Sequence, residues 1–293
     1  MSDILPNFLD LPPSASDPAT ARYVVLPVPF EETVSYRGGT RLAPAAILNA
    51  SGQVELFDEE LREEFVCAGI ATLPALLPKP TADGDMPRLR QLAGEIFAAG
   101  KFLLALGGEH SITAPLVRAA LQQYTPLSVL QIDAHADLRD TYGGLKYSHA
   151  CVMRRVLELG CDICQVGIRS YSQEEFDSCR LNVDRFVTPQ VTQTDPAWID
   201  SVLSRLSENT YITVDMDGLD PSIAPGVGTP EPGGLSWRQV TALLRRVCSE
   251  RNVVAADIVE TRPLGENHVT EFLAARLAYK IIAYAESRKR QGR

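Results

Sequence analysis

Short apolar runs that alternate with stretches of helical period restrict the possible folds of this sequence more than any other feature. Seven runs rich in Val, Ile and Leu are predicted to be strands, at residues 23–26, 102–106, 127–133, 163–167, 183–187, 211–215 and 253–258. These runs lack the polar and apolar alternation of a strand with one face in water. We therefore expect strands that are covered on both faces, as in a parallel sheet.

The segments between these runs have the apolar spacing of helices. Helices are predicted at residues 41–50, 86–99, 112–123, 149–159, 196–206, 236–249 and 270–286. Alternating strands and helices predict a mostly parallel sheet between two helix layers, which is a three-layer α/β/α sandwich. No composition shift, linker or repeat divides residues 21–293, so we expect one domain there, preceded by an extended segment at residues 1–20.

The overall composition is that of an ordinary globular protein, and it excludes several classes. The chain has 293 residues, of which 45% are hydrophobic and 22% are charged, so disordered and fibrous proteins are excluded. A formal net charge of -9 argues against nucleic acid as the main partner. The sequence contains no recognisable secretory signal and no apolar stretch of bilayer length, so we expect a cytoplasmic protein without a membrane partner.

The six cysteines are scattered, which in a reducing compartment is typical of small core residues. Cys161 and Cys164 have the spacing of a redox or zinc pair, but their segment is predicted to be a strand. Side chains at this separation in a strand point to opposite faces, so a structural role is favoured for both.

Two aspartate-rich strings follow predicted strands. Asp133, His135 and Asp137 lie at and just after the end of the run at 127–133, and Asp215 and Asp217 lie at and just after the end of the run at 211–215. Side chains two positions apart in an extended chain share a face, so each string can converge on one point. Ligands of open α/β sheets bind outside the carboxyl ends of the strands, which is where both strings are predicted to lie.

Six side chains are candidate metal ligands: His110, Asp133, His135, Asp137, Asp215 and Asp217. Four carboxylates crowded together repel one another, and their charge matches two divalent cations. Carboxylate and imidazole donors without a thiolate favour Mn²⁺ over Zn²⁺, although nickel, cobalt and iron remain open. Two such ions, roughly 3.5–4 Å apart, generate a nucleophile from water. Any one aspartate alone would be a helix cap or turn former, but that interpretation does not explain the set.

Two further residues are predicted to act on a substrate. His149 has no partner at ligand spacing, so it is a candidate proton donor or shuttle, the alternative being a polar residue at a helix start. Glu260 follows the run at 253–258, and its carboxylate could accept paired hydrogen bonds from a planar guanidinium. The alternative for Glu260 is an ion pair with Arg262 or with another basic residue.

Taken together, these motifs resemble the ureohydrolase family of arginases and agmatinases. The resemblance rests on Gly107-Gly-Glu-His110, Asp133-Ala-His-Ala-Asp137, Ser148-His149, Asp215-Met-Asp-Gly-Leu-Asp-Pro221 and Asp257-Ile-Val-Glu260. The opening segment Leu26–Arg41, with Pro44–Ile47, is most similar to the agmatinase branch. The resemblance extends from about residue 23 to residue 284.

The resemblance implies a binuclear enzyme with two Mn²⁺ per chain that hydrolyses a guanidino group to urea and an amine. One ion would be held by His110, Asp133, Asp137 and Asp215, and the other by Asp133, His135, Asp215 and Asp217. A hydroxide between the ions would attack the guanidinium carbon, with Asp137 orienting it, Glu260 positioning the guanidinium and His149 delivering a proton to the leaving amine. The partner is then a small cationic guanidino substrate, and the family also implies a homo-oligomer, either a trimer or a hexamer.

Agmatine, hydrolysed to putrescine and urea in polyamine metabolism, is the favoured substrate because the opening segment matches that branch. Two departures from the family pattern concern the pocket. Agmatinase-like sequences often have His-Gly-Thr where this chain has His149-Ala150-Cys151, and arginases have small polar residues where this chain has Leu138-Arg139-Asp140. Arg139 keeps a guanidino acid open as the substrate.

Other functions share much of this pattern. Guanidinobutyrase, aminopropylagmatine ureohydrolase, arginase and formiminoglutamase would use the same metal ligands and differ only in the pocket for the substrate tail. A zinc deacetylase on a related fold would bind one ion and would not need His110, His135 and Asp217 together. A non-catalytic relative would be expected to have lost at least one ligand, and the sequence retains all six.

Overall fold

The computed structural model describes residues 5–81, 84–179 and 186–292, which contain ten strands and nine α-helices. The strands are β1 Tyr23–Val28, β2 Phe57–Asp58, β3 Glu63–Glu64, β4 Ile70–Thr72, β5 Phe102–Gly107, β6 Leu127–Ile132, β7 Asp162–Val166, β8 Phe186–Val187, β9 Asn209–Asp215 and β10 Asn252–Val259. The helices are α1 Ala43–Ser51, α2 Pro87–Ala98, α3 Thr113–Ala120, α4 Val152–Glu158, α5 Gln173–Cys179, α6 Pro189–Thr194, α7 Trp198–Leu203, α8 Trp237–Glu250 and α9 Val269–Arg290. Within the described ranges, no helix has both the length and the apolar character needed to cross a bilayer.

Eight of the strands form one sheet in the order β4-β1-β5-β10-β9-β6-β7-β8, and every neighbouring pair is parallel. The four central strands are β5, β10, β9 and β6, so segments that are far apart in the sequence end side by side. The predicted parallel sheet is confirmed. Because the strands all run the same way, their carboxyl ends share one edge, and this edge carries the candidate site.

Both faces of the sheet are buried, as the apolar runs predict. Val25, Leu104 and Ile212 pack on one face in a core formed with α1, α7, α8 and α9. The intervening residues, such as Val24 and Leu103, pack on the other face against α2, α3 and α4. Alternate side chains of each strand therefore enter two separate cores. The predicted three-layer α/β/α architecture is confirmed.

Cys161 and Cys164 belong to opposite faces of the sheet, as predicted. Cys161 packs in the core beneath α2, α3 and α4, and Cys164 packs in the core on the other face. Both side chains are buried, and neither thiol is in a disulfide. The two thiols therefore do not form a joint metal or redox pair, although their spacing in the sequence would allow one.

The sequence did not predict several short elements. Strands β2, β3 and β4 contain two or three residues each, which is too few for a periodic signal, and α5 and α6 were also missed. Of the predicted strand at 183–187, residues 186 and 187 form β8, and residues 183–185 lie outside the described part of the chain. The division into a terminal segment and one domain stays a prediction.

The segment at residues 1–20 was predicted to be extended, and its described part differs from that expectation. It forms two short 3₁₀ turns, Phe8–Asp10 and Pro13–Ala15, and Phe8 and Leu9 are buried. The backbone N–H of Phe8 donates to Thr72 Oγ1 at 2.9 Å, and that of Leu9 donates to Ser51 Oγ at 2.8 Å. Apolar burial and these two side-chain acceptors hold the segment against the sheet.

Candidate active site

The first group of candidate ligands surrounds the imidazole of His110. This residue follows β5, whereas Asp133 and Asp137 follow β6, and Asp215 is the last residue of β9. His110 Nδ1 lies 3.1 Å from Asp137 Oδ2, 3.2 Å from Asp133 Oδ2 and 3.5 Å from Asp215 Oδ2. All four residues are buried. Side chains from three different strand ends therefore converge on one point.

The second group surrounds His135. Its Nδ1 lies 3.1 Å from Asp217 Oδ2 and 3.6 Å from Asp133 Oδ1. Asp133 therefore has one oxygen toward each histidine, and the two groups share this carboxylate. The structure thus brings together all six of the predicted ligands as two adjoining sets.

The hydrogen bonds of His110 leave one of its ring nitrogens free for a metal. Its Nε2 lies 2.8 Å from Thr213 Oγ1, and the Thr213 hydroxyl donates its single proton to Asp257 Oδ1 at 2.5 Å. Toward His110, the Thr213 oxygen can therefore only accept, so Nε2 carries the hydrogen. Nδ1 is buried, has no hydrogen-bond partner among the described residues, and faces three carboxylates. This tautomer suits a metal ligand.

Asp257 is fully buried and was named in the sequence only as part of a motif. Besides Thr213, the hydroxyls of Tyr211 (2.7 Å) and Thr113 (2.9 Å) donate to its Oδ2. Thr213 of β9 and Asp257 of β10 are register partners, which places the two side chains next to each other. Burial raises the pKa of Asp257 above its ordinary value.

The carboxylates of the cluster interfere with one another in the absence of a cation. Burial, together with repulsion from Asp133, raises the pKa of Asp137 to about 7. Burial, with repulsion from Asp217 and Asp133, raises the pKa of Asp215 well above its usual range. Asp137 also adopts a left-handed backbone conformation with φ of 54°. Strain and crowded charge of this kind are typical of functional sites, and bound dications would relieve the repulsion.

Glu260 lies beside this cluster at the end of β10. Its Oε1 accepts a hydrogen bond from the backbone N–H of His110 at 2.7 Å, and its backbone φ is 60°. Burial raises the pKa of Glu260 to about 8. Arg262, the alternative partner considered from the sequence, instead donates from Nε to the carbonyl of Gly38 at 2.8 Å. The Glu260 carboxyl group is therefore available to a cationic ligand.

His149 lies in the same cavity and is half-buried. Its Nδ1 lies 3.0 Å from Thr33 Oγ1, and its Nε2 lies 2.8 Å from Ser35 Oγ. Burial lowers the pKa of His149. A neutral imidazole at neutral pH is suited to accept a proton and release it again.

The cavity has a volume of about 290 Å³ and opens to solvent. Metal-cluster carboxylates, Glu260 and His149 line this cavity, and we call four further lining residues its rim, the exposed Tyr36 and Tyr171 and the half-buried Tyr142 and Arg139. Arg139 Nε is 3.8 Å from Glu175 Oε2, and its guanidinium lies over the Tyr142 ring at 5.4 Å. The charge of Arg139 is therefore shared with a carboxylate of the chain itself.

Two glycines permit chain segments to meet at this site. A Cβ atom at Gly108 would lie 2.1 Å from the carbonyl oxygen of Phe30, and a Cβ at Gly218 would lie 2.7 Å from the backbone nitrogen of Asp133. Neither separation is possible for a real side chain. Gly108 thus allows the segment after β1 to reach the site, and Gly218 allows the turn after β9 to approach the Asp133 backbone.

The family comparison agrees with this geometry. The model of the Arginase family matches residues 21–283. The chain belongs to the arginase family. The enzymes of this family are binuclear metal hydrolases, and the His/Asp cluster of this chain could bind metal.

Individual members of the arginase family resemble this chain over most of its length. N(1)-aminopropylagmatine ureohydrolase of Synechocystis sp. is 40% identical over 93% of this chain and 92% of that protein. Agmatinase of Bacillus anthracis is 34% identical over 82% of this chain and 83% of that protein. Among solved structures, agmatine ureohydrolase of Thermoplasma volcanium is 34% identical and superposes with a TM-score of 0.86, covering 99% of this chain and 97% of that one. The chain is thus an enzyme of the ureohydrolase family.

Several residues that support this arginase-family site were missed from the sequence. Gln131 Nε2 donates to Asp133 Oδ2 at 2.6 Å, and a glutamine within an apolar strand was the only signal for it. Arg169 donates to the carbonyls of Asp217 at 2.8 Å and Glu231 at 2.7 Å, and so holds the turn after β9. Arg169 gives no sequence signal, because its partners are backbone atoms far away in the chain.

Proposed function

We propose that this ureohydrolase acts on a linear alkylguanidine that carries an amine, and that its substrate is N1-aminopropylagmatine. Hydrolysis of the guanidino group would yield urea and the corresponding triamine. The observation that carries the choice of substrate is the 40% identity to a relative named for this activity, against 34% for the agmatinase relative. The prediction of agmatine from the opening segment becomes the second candidate.

The metal cluster supports the reaction class. We propose that His110, Asp133, Asp137 and Asp215 hold one ion, and that Asp133, His135, Asp215 and Asp217 hold the other. Oxygen donors outnumber nitrogen donors and there is no thiolate, which favours Mn²⁺. When bound, two such ions lower the pKa of water and so supply a nucleophile at neutral pH.

The residues of the chain would handle the substrate as follows. Glu260, which is half-buried beside the cluster, would accept hydrogen bonds from the guanidinium and hold its carbon toward the ions. A cationic guanidinium would also favour the ionised form of Glu260, whose pKa burial raises to about 8. His149, on another wall of the cavity, would exchange a proton with the leaving amine.

Agmatine is the second candidate because the solved relative from Thermoplasma volcanium is named an agmatine ureohydrolase. The two substrates share the guanidino group and differ in the aminopropyl extension at the other end. The cluster, Glu260 and His149 would act on the shared part, so the choice depends on the rim of the cavity.

The test is a substrate panel with the Mn²⁺-loaded protein. We expect urea release from N1-aminopropylagmatine with the highest kcat/KM, and weaker release from agmatine, arginine and guanidinobutyrate. Formiminoglutamate would be followed as formamide. A higher kcat/KM for agmatine would overturn the choice of substrate in favour of the second candidate.

Variants test the site itself. His135→Ala and Asp217→Ala should abolish urea release, whereas Thr210→Val, a buried substitution at the opposite end of β9, should leave it unchanged. Full activity in the first two variants would contradict the assigned metal site. One zinc ion per chain, with deacetylase activity, would instead favour the mononuclear alternative.

A further inference from the structure

The loop of residues 31–37, between β1 and α1, contacts both ring nitrogens of His149. Thr33 Oγ1 lies 3.0 Å from Nδ1, and Ser35 Oγ lies 2.8 Å from Nε2. Thr33 Oγ1 also accepts a hydrogen bond from the backbone N–H of His149 at 3.1 Å. The position and the protonation of this imidazole therefore depend on a segment that lies more than a hundred residues away in the sequence.

A buried carboxylate holds this loop in place. Glu109, directly before His110, accepts hydrogen bonds from the backbone N–H groups of Glu32 and Thr33, the latter at 2.7 Å. It also accepts from the hydroxyls of Thr33 at 2.7 Å and Ser111 at 2.5 Å. A carboxylate accepts hydrogen bonds and cannot donate them, so the hydroxyl proton of Thr33 is committed to Glu109.

The single hydroxyl proton of Thr33 determines which nitrogen of His149 carries a hydrogen. Because that proton points to Glu109, the Thr33 oxygen can only accept from His149. The neutral ring must then carry its hydrogen on Nδ1, and Ser148 Oγ, at 3.3 Å, can accept the same hydrogen. Nε2 keeps its lone pair and faces the Ser35 hydroxyl at 2.8 Å. That hydroxyl donates to the Tyr142 hydroxyl at 3.2 Å, and in this tautomer its proton turns to Nε2 while the Tyr142 hydroxyl donates to Ser35 instead.

We propose that Glu109 and Thr33 are positioning residues that fix His149 in the Nδ1–H tautomer, so that Nε2 is the atom that takes up and releases the proton of hydrolysis. Water adds its oxygen to the guanidinium carbon, and the bond from that carbon to the alkyl nitrogen breaks. The proton that the water gives up binds to Nε2 and passes to the alkyl nitrogen, which leaves as an amine. His149 is unchanged at the end of the cycle.

The assignment rests on the proposed function only in that His149 serves the leaving amine. The hydrogen-bond pattern itself does not depend on which guanidino compound is the substrate. Ser35 is the first partner of Nε2, and substrate must displace its hydroxyl or receive the proton through it. Thr33 contacts the ring at Nδ1, the nitrogen that does not exchange the proton, and Glu109 acts through Thr33.

The kinetic test compares Thr33→Val, which keeps the shape of the side chain and removes the hydroxyl, with Thr33→Ser, which retains the hydroxyl. We expect Thr33→Val to lower kcat by about tenfold to a thousandfold with little change in KM, since a general acid–base residue contributes on the order of 10²–10⁴-fold. Thr33→Ser should restore most of kcat. Glu109→Gln should resemble Thr33→Val, because its amide donates toward Thr33 and turns the hydroxyl proton toward Nδ1.

The second readout is the tautomer itself, measured by ¹⁵N NMR of histidine-labelled protein without paramagnetic Mn²⁺. The chain has only four histidines, so His149→Gln assigns the relevant signals. We expect a protonated Nδ1 and an unprotonated Nε2 in the wild type and in Ser35→Ala, and a mixture of tautomers in Thr33→Val. Melting temperatures of the variants check that the fold is kept.

A wild-type spectrum with the hydrogen on Nε2 would overturn the proposal, as would an unchanged kcat in folded Thr33→Val. If the wild type released no urea from any guanidino compound while the spectrum showed the Nδ1–H tautomer, the proposed function would fail and the hydrogen-bond assignment would stand. The two failures are therefore distinguishable.

Discussion

Single protons on two histidines set the chemistry available in this cavity. At His110, the Thr213 hydroxyl donates to Asp257 and accepts from Nε2, which leaves Nδ1 for a metal. At His149, the Thr33 hydroxyl donates to Glu109, and under our proposal it accepts from Nδ1, which leaves Nε2 for proton exchange. The same device, a hydroxyl between a buried carboxylate and an imidazole, thus frees opposite ring nitrogens for opposite tasks.

Removal of the Thr213 hydroxyl should weaken one metal site and spare the other. Thr213→Val leaves His110 Nε2 without an acceptor, and loss of such a supporting hydrogen bond typically costs 10–100-fold in metal affinity. We expect a titration followed by the EPR signal of free Mn²⁺ to show one ion weakened by about that factor. Thr213→Ser should restore the affinity, and Thr210→Val on the same strand serves as the control. Equal weakening in the control would contradict this role.

Some site residues could be predicted from the sequence because of their own side-chain type and position, whereas others depend on neighbours that the sequence does not reveal. The six candidate ligands, Glu260 and His149 carry charge or an imidazole at the ends of apolar runs, and the sequence itself marks them. Thr33, Glu109 and Thr213 act through neighbours that only the fold supplies. A threonine in a strand or a loop is too common to indicate a function, so its role depends on the register and on the close approach of distant segments.

Among the elements, the central strands β5, β6, β9 and β10 were predictable because they have six to eight residues each, and their apolar residues require burial. The hairpin β2–β3 was not, because contacts with α9 hold it. Lys280 Nζ lies 3.0 Å from Asp58 Oδ2, with both side chains fully buried, and the Tyr279 hydroxyl donates to the carbonyl of Leu56. Local propensity contributes little to such an element, whereas tertiary contacts decide whether it forms.

Replacement of Lys280 should lower the free energy of unfolding of the protein. Lys280→Met removes the cation from between Asp58 and Glu59 and leaves a buried carboxylate without its charge partner. Breaking a buried pair in this way typically costs about 3–5 kcal/mol, and we expect that loss in the free energy of unfolding from denaturant titration. Lys289→Met, an exposed lysine of the same helix, is the matched control and should cost much less. Equal stability of the two variants would refute this account.

The turn after β9 has no space for a side chain at Gly218. A methyl group there would press on the backbone nitrogen of Asp133, so Gly218→Ala should push the Asp217 turn away from the strand end that carries Asp133. We expect a loss of about 1–3 kcal/mol in unfolding free energy, as for other overpacked sites, and a reduced metal stoichiometry. Gly143→Ala, whose added Cβ has no neighbour within 4 Å but whose φ is 58°, controls for backbone strain alone. Full metal binding by Gly218→Ala would rule out this role.

For the whole molecule, the crowded cluster should make stability depend on pH and on metal. In the folded protein the pKa of Asp137 is about 7 and that of Glu260 is about 8, and both lie above the values of the unfolded chain. For each group, the folded state binds more protons than the unfolded state at any pH between its unfolded and its folded pKa. The stability of the metal-free protein should therefore fall as the pH rises from about 5 to about 8. Burial lowers the pKa values of His110 and His135, but the neighbouring carboxylates raise them more, so both are above the ordinary histidine value. These histidines therefore also contribute stability that is lost as the pH rises above that ordinary value. Asp133, whose pKa is lowered by both histidines although burial raises it, contributes stability that is lost only in acid.

Calorimetry of the chelated protein across this range would check the sign. We expect a falling melting temperature without metal, and a higher, flatter profile with Mn²⁺, because an ion that binds only the folded state stabilises it. Glu260→Gln should reduce the slope of the metal-free profile. A melting temperature that rises between about pH 5 and about pH 8 without metal would contradict the assignment.

The oligomeric state, trimer or hexamer, stays a prediction for light scattering to measure.

The parallel sheet places the metal-facing residues and the rim residues of the cavity on different kinds of element. The metal-facing side chains stand on or directly beside the strand ends of β5, β6 and β9, whereas much of the rim comes from loops that follow β1, β6 and β7. Loops accept sequence change far more readily than central strands. Substitution of a few rim residues, such as Tyr36 and Tyr171, could therefore let the cavity accept new guanidino compounds without a change to the metal-facing residues. This makes the fold a practical starting point for the design of new urea-releasing enzymes.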